Sequence, residues 1–86
     1  MTYSVEMLRS AQKQLGKIQK DDQVRIVDAI RSLSGDPRPR SAKKLTNRPA
    51  WRIRVGVYRV IYEIEDEVLR VLVVAVAHRK DIYRPS

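Results

Sequence analysis

Hydrophobic and polar residues alternate along the second half of the chain with the period of two that β-strands show. Residues 51–55 and 58–64 each alternate, and Gly56 between them permits a turn. The acidic residues 65–67 predict a hairpin turn after the second of these strands. Residues 68–77 then form the most apolar segment, whose apolar residues face both ways and therefore predict a central strand.

The first half of the chain shows a short strand pattern followed by the helical period. Residues 3–7 alternate as a short strand, and Ser10 is a suitable N-cap for a first helix. Asp21 or Asp22 would cap a second helix, which Gly35 would end. The predicted apolar faces carry Ala11, Leu15 and Ile18 in the first helix, and Val24, Ile26, Val27, Ile30 and Leu33 in the second.

These elements predict one α+β domain over residues 1–86. An N-terminal β-strand precedes an α-helical hairpin, and an antiparallel β-meander then forms one sheet packed on the helices. Residues 36–50, which contain three prolines, are expected to form a basic loop between the two halves. A chain of 86 residues supports a modest core.

Charge narrows the choice of partners. The chain has 18 Lys plus Arg against 10 Asp plus Glu, a formal net charge of +8, and residues 38–62 hold eight basic residues and no acid. Such a one-signed segment attracts polyanions, above all nucleic acid; the alternative is a basic surface that only confers solubility. The N-terminus lacks a signal-peptide pattern and the longest apolar run, residues 71–77, is too short for a membrane span, so we expect a cytoplasmic protein with no membrane contact.

The residues available for chemistry are few. The chain has no cysteine, and its one histidine is His78, so a zinc site of His and Cys ligands, a Cys–His nucleophile and a two-histidine ribonuclease site are all excluded. The acidic turn is expected to be solvated, with Mg²⁺ binding as the minor alternative. Arginine, lysine and tyrosine remain, and they suffice for RNA cleavage in which the 2′-hydroxyl attacks and guanidinium groups stabilise the phosphate.

Strand geometry predicts where the arginines lie. Arg52, Arg54 and Arg59 cannot face the helices without burying charge, so we expect them on the opposite face as a shallow, open basic groove. The alternative is that they are exposed residues that keep the sheet soluble. His78 is expected to have a structural or hydrogen-bonding role rather than an acid–base one.

The motifs WRIR, GVYRVIY, EIEDE and HRKDIYR, together with YSVEM and GDPRPRSAKKL, resemble the RelE branch of the RelE/ParE toxin superfamily over nearly the whole chain. The resemblance implies the toxin of a type II toxin–antitoxin pair, a metal-independent endoribonuclease that cuts mRNA in the ribosomal A site and needs no cofactor. It implies three kinds of partner: a cognate antitoxin, the ribosome with its mRNA, and operator DNA through the toxin–antitoxin complex alone. Two alternatives remain, a ParE-type gyrase poison that does not cut RNA and a basic RNA-binding module.

The resemblance also assigns roles by position. Arg59 would stabilise the transition-state phosphate, Arg79 would stabilise or protonate the leaving group, and Tyr83 would stack on a base or orient the 2′-hydroxyl. The predicted RNA and phosphate contacts are Arg52, Arg54, Lys43 and Lys44, whereas Tyr58 is expected in the core. The chain departs from relatives at Val57, Ala75 and Ala77, where Asp, a basic residue and Gly respectively are common, which implies weaker activity than in the strongest relatives.

Overall fold

The computed structural model describes residues 2–82 and contains one five-stranded sheet with two helices packed on one face. The strands are β1 (Ser4–Met7), β2 (Lys43–Lys44), β3 (Trp51–Val55), β4 (Tyr58–Glu65) and β5 (Arg70–His78). The helices are α1 (Arg9–Gly16), α2 (Lys20–Ser32) and the short α3 (Arg79–Ile82). The predicted α+β fold, with a helical hairpin inserted between the first strand and the meander, is therefore confirmed.

The strand order is β1-β5-β4-β3-β2, so the last strand lies inside the sheet as predicted. Strands β3, β4 and β5 form the antiparallel meander. Strand β1 instead pairs parallel to β5, with Ser4 opposite Arg70. A parallel pair needs a long crossover connection, and the helical hairpin begins that connection.

The core lies between the helices and one face of the sheet. Helix α1 contributes Ala11, and α2 contributes Ile26 and Ile30; the sheet residues are Ile53, Val60, Tyr62, Val71, Val73 and Val76. The predicted helix details need correction at three points. Helix α1 begins at Arg9 after Leu8, not after a Ser10 cap. Helix α2 begins at Lys20 after Gln19, so Asp21 and Asp22 lie in its first turn and do not cap it. Val24 on α2 is 58% exposed rather than buried.

A β-bulge in β5 decides which of its side chains face the helices. Tyr62 pairs with Val73 and Ile61 pairs with Ala75, so Val74 stands between two pairs without a partner of its own. One extra residue shifts the alternation by one position. Val71 and Val73 before the bulge and Val76 after it therefore all face the helices, which leaves small alanines on the opposite face.

The segment between α2 and β3 is more ordered than the predicted loop. It includes the two-residue edge strand β2, and the buried Tyr62 hydroxyl donates to the Pro37 carbonyl at 2.8 Å. Burial raises the pKa of Tyr62 to about 12. The Arg38 guanidinium also lies 5.5 Å from the centre of the Trp51 ring, a cation–π distance.

The acidic turn is tied to this segment rather than only solvated. Residues Asp66–Val68 form a 3₁₀ turn, and Asp66 accepts hydrogen bonds from Arg38 at 2.7 Å and from the Tyr3 hydroxyl at 2.6 Å. These bonds to the charged carboxylate, that of Arg38 foremost, lower the pKa of Asp66 to about 2. The carboxylate in turn raises the pKa of Arg38 and Tyr3.

Candidate functional site

Two rows of paired residues cross the sheet face opposite the helices. In the first row Arg54 on β3 is the direct partner of Arg59 on β4, and Arg59 is the partner of Ala77 on β5. Paired residues on neighbouring strands point to the same face of a sheet. Arg54 and Arg59 therefore point to the same face of the sheet, next to the small side chain of Ala77.

The second row lies one pleat further along the strands. It joins Lys43 on β2, Arg52 on β3, Ile61 on β4 and Ala75 on β5. The sheet thus places Arg52, Arg54 and Arg59 on one face, as the alternation predicts. Lys43 joins this face, but Lys44 pairs with Trp51 and so lies on the opposite face.

The predicted openness of this face is wrong for two of its three arginines. Arg59 is 5% exposed and Arg52 is 9% exposed, whereas Arg54 is exposed. Both buried arginines make a polar, ring or electrostatic contact within the protein, as burial of a charge requires. Arg52 and Arg59 are therefore enclosed by the protein, and Arg54 is the one of the three with the character of a solvated surface arginine.

Three arginines meet in one small cleft, here named the arginine cleft, of about 50 Å³. It is lined by Arg54, Gly56, Tyr58, Arg59 and Arg79. Arg79 comes from the first position of α3, directly after β5, so a third chain segment completes the set begun by β3 and β4. Among the described residues that line the cleft none is acidic, and its chemistry suits an anion with several oxygens, such as a phosphate.

The two-residue turn Gly56–Val57 holds this end of the sheet in shape. Gly56 has φ +61°, which suits the first position of a type II′ hairpin turn and disfavours other residues. The Arg79 backbone N–H donates to the Val57 carbonyl at 2.8 Å. The turn is therefore bonded to the start of α3, and this bond sets the position of Arg79 relative to Arg54 and Arg59.

Tyr58 is only partly a core residue, and sequence reasoning missed its place at the site. Tyr58 lines the arginine cleft, and its ring meets the His78 ring edge-to-face, with centroids 5.8 Å apart. His78 accepts a hydrogen bond on Nδ1 from the Lys80 backbone N–H at 3.3 Å, in line with the expected hydrogen-bonding role. The alternation of β4 assigns Tyr58 to the face that packs on the helices. Because Tyr58 lies next to the turn at the end of the sheet, it also lines the cleft on the opposite face.

Three further points concern a predicted site residue, metal binding and membrane spans. Tyr83 lies outside the described residues. Within residues 2–82 no group of three or more His, Asp or Glu side chains is placed to hold a metal ion. None of the helices in that part of the chain is long and apolar enough to cross a membrane.

The sequence matches the model of one protein family, described as the ParE toxin of the type II toxin–antitoxin system parDE, over residues 5–83. Among curated proteins, Toxin RelG of Mycobacterium tuberculosis is 36% identical over 87 residues, which covers 98% of this chain and 99% of RelG. Both comparisons span nearly the full length of this chain.

Solved structures show the same architecture. The toxin–antitoxin complex RelBE2 from Mycobacterium tuberculosis contains a chain with a TM-score of 0.82 and 29% identity, covering 92% of this chain and 93% of that one. The archaeal RelE–RelB complex from Pyrococcus horikoshii OT3 gives a TM-score of 0.82 and 27% identity, with coverage of 92% and 97%. The resemblance read from the motifs is thereby confirmed, and the chain belongs to the RelE/ParE superfamily of type II toxin–antitoxin toxins as a RelE-type member.

Proposed function

We propose that the protein is an endoribonuclease that cuts mRNA in the ribosomal A site and so inhibits translation. The observation that carries the proposal is the arginine cleft, in which Arg54, Arg59 and Arg79 converge on a space of about 50 Å³. That space suits one phosphate group. RNA brings its own nucleophile, so a site that aligns and stabilises a phosphate has the main elements that cleavage needs.

In the proposed reaction the 2′-oxygen attacks the adjacent phosphorus, and the bond from phosphorus to the 5′-oxygen breaks. The products are a 2′,3′-cyclic phosphate and a 5′-hydroxyl. Arg59, which is buried and lines the cleft, stabilises the extra negative charge on the phosphate oxygens. Because burial limits how far its side chain can move, little reorganisation is needed as this charge develops.

The other two arginines of the cleft contact different parts of the reacting group. Arg54 is exposed and contacts the incoming phosphate, whereas Arg79 stabilises the leaving 5′-oxygen. Two protons also move: the 2′-hydroxyl loses one and the 5′-oxygen gains one. Arginine remains protonated in proteins, so it does not accept the first proton, and we assign the cleft to alignment and charge stabilisation rather than to base catalysis.

The ribosome and its mRNA are the proposed partners in catalysis, which places the activity in the cytoplasm. The arginine cleft is small, and the described residues that line it include no histidine or carboxylate that would activate the 2′-hydroxyl. An isolated RNA would therefore be a poor substrate. A ribosome that presents the mRNA in a fixed geometry would supply the alignment, worth several kcal/mol in well-oriented reactions.

A cognate antitoxin is the proposed regulatory partner. The relatives RelBE2 and archaeal RelE–RelB were solved as toxin–antitoxin complexes. A positively charged cleft that does harm when open is blocked by an extended, partly acidic segment, and we propose that the antitoxin supplies it. Operator DNA would then be bound by the complex and not by the toxin alone.

The proposal is tested by mapping mRNA ends in a reconstituted translation system with one codon held in the A site. Arg59→Lys keeps a positive charge but loses the two-pronged guanidinium, and we expect cleavage to slow by about 10²-fold. Arg48→Lys, an exposed change outside the cleft, is the matched control and should cleave as the wild type does. Thermal unfolding of both variants checks that Arg59→Lys retains its fold.

The family model names a ParE toxin, which favours gyrase poisoning as the second candidate function. The same preparations are therefore incubated with DNA gyrase and supercoiled plasmid. Double-strand breaks without any cut mRNA would replace the proposed function with the ParE-type activity. RNA binding with neither cleavage nor breaks would identify a binding module.

A further inference from the structure

A second cleft lies on the helix side of the same sheet end. It has a volume of about 330 Å³ and is lined by Gln14, Lys17 and Ile18 from the α1 end of the hairpin and by Tyr58, Val76 and His78 from the sheet. We call it the helix-side cleft. It is more than six times larger in volume than the arginine cleft, and the chemistry of the arginine cleft makes no use of it.

Hydrogen-bond donors dominate the polar lining of the helix-side cleft. The Gln14 side-chain oxygen accepts from the Val76 backbone N–H at 2.8 Å, which leaves the amide nitrogen as the outward group. His78 accepts on Nδ1, which leaves Nε2 as the ring nitrogen that donates. Lys17 adds an exposed ammonium group, and no acidic residue is among the lining residues. Such a set of groups favours an anionic ligand that accepts hydrogen bonds.

The aromatic pair in the cleft also suits a planar group. Tyr58 and His78 meet with their ring planes 79° apart, so the contact uses the face of one ring and the edge of the other. The ring that contributes its edge keeps its faces for other neighbours. Aromatic faces stack on nucleic-acid bases whatever their identity. Apolar surface from Ile18 and Val76 lies beside the pair.

The helix-side cleft and the arginine cleft are neighbours. Tyr58 lines both of them, and the consecutive residues His78 and Arg79 line one each. Their Cα atoms are therefore separated by a single peptide unit, about 3.8 Å. A strand of RNA with one phosphate at Arg79 would pass around Tyr58 at the end of the sheet to reach the second cleft.

We propose that the helix-side cleft binds the RNA nucleotide adjacent to the cleaved phosphate, with its base against the Tyr58–His78 pair and its phosphate near Lys17. This inference rests on the proposed function, since it places the cleaved phosphate in the arginine cleft. Lys17, Gln14 and His78 are then substrate-positioning residues. They hold the RNA on one side of the scissile bond while the arginines act on the phosphate itself.

The experiment compares short RNAs that carry 2′-deoxy sugars at the scissile position and so cannot be cut. The full-length chain is titrated by NMR with a dinucleotide that has one internal phosphate, and with trinucleotides extended at the 5′ or the 3′ end. For one of the two trinucleotides we expect binding to tighten by roughly 3- to 10-fold, with the Val76 and His78 amide signals shifting. The salt slope of this extra affinity should be about 0.7, the value for one single-strand phosphate contact.

Two variants test the assignment. Lys17→Gln should abolish the gain from the extra nucleotide but leave dinucleotide binding within twofold. The matched control Lys20→Gln, an exposed lysine outside the cleft, should keep the full gain. His78→Phe keeps a ring against Tyr58 but removes the Nε2 donor, so it should reduce the gain in part.

The proposal is overturned if Lys17→Gln gains as much as the wild type from both trinucleotides, or if it weakens the dinucleotide and the trinucleotides equally. The second result would show only a general charge effect. The proposed function is judged separately. Wild-type protein that cuts no mRNA on ribosomes refutes it, whereas cleavage without a Lys17-dependent gain refutes the helix-side cleft alone.

Discussion

The buried Tyr62 hydroxyl gives the most quantitative test of the structure. Tyr62→Phe removes only the oxygen that donates to the Pro37 carbonyl at 2.8 Å, inside a side chain with no exposed surface. The carbonyl is left without this donor in a buried segment, which costs about 1–2 kcal/mol. For a domain of this size, each kcal/mol lowers the melting temperature by about 4–8 °C.

The pH dependence of the stability difference between wild type and Tyr62→Phe gives a second, more specific test. Burial raises the pKa of Tyr62 to about 12 from the usual 10.0, so the folded state disfavours the ionised phenol. A raised folded pKa means that the full stability is present below pH 10 and is lost as the pH rises towards 12. At pH 11 the wild type should have lost about 1.4 kcal/mol of its free energy of unfolding, since one pKa unit corresponds to 1.36 kcal/mol. The Tyr62→Phe variant has no phenol to ionise and cannot lose this contribution.

Urea unfolding at pH 7 and pH 11 measures both effects. The stability gap between wild type and Tyr62→Phe should be about 1–2 kcal/mol at pH 7 and should nearly vanish at pH 11. Titration of other tyrosines and lysines affects both proteins and cancels in the comparison. A gap that is the same at both pH values would refute the conclusion that the Tyr62 hydroxyl is desolvated.

Three further outcomes follow from other parts of the molecule. The pKa of Asp66 is lowered to about 2 from its usual 3.8, so the stability that its pairing provides is present above about pH 4 and is lost as the pH falls towards 2. In acid unfolding, the difference in free energy of unfolding between wild type and Asp66→Asn should disappear over that pH range. A difference that stays constant would contradict the pairing. Gly56→Ala should cost about 1 kcal/mol because φ is +61°, whereas Gly16→Ala at the end of α1, with open space around it, should be neutral or stabilising; equal thermal shifts would refute the turn assignment. RNA binding by the isolated chain should weaken as salt rises, as phosphate contacts require, and a salt-independent affinity measured by fluorescence titration would count against both clefts.

Period-two alternation predicted most of the sheet and the face of the sheet on which the arginines of β3 and β4 lie. It predicted β3, β4 and β5 and put Arg52, Arg54 and Arg59 on one face, because side-chain direction in a strand is a local property. It did not predict β2, since two residues are too few to show a period. Nor did it predict the burial of Arg59, which depends on tertiary contacts that form on that face of the sheet.

The remaining misses share a physical cause, which is contact between segments far apart in the sequence. The acidic turn looked solvated because nothing local shows that Arg38 and Tyr3 reach Asp66 across 28 and 63 positions. The bulge at Val74 depends on how β5 is paired with β4, not on any residue that marks a bulge. The second cleft was missed because Lys17 and Gln14 are separated from His78 by most of the chain.

The pairing of β1 with β5 bears on when the fold forms during synthesis. Strand β5 follows the four other strands in sequence, yet it lies between β1 and β4 and supplies Val71, Val73 and Val76 to the core. Contacts that join such distant segments form late and slow folding. A nascent chain that lacks β5 therefore leaves β1 without a neighbour, and it has no Arg79. The fold and the arginine cleft are thus completed together only once β5 and Arg79 have been synthesised, and a chain truncated before β5 has neither.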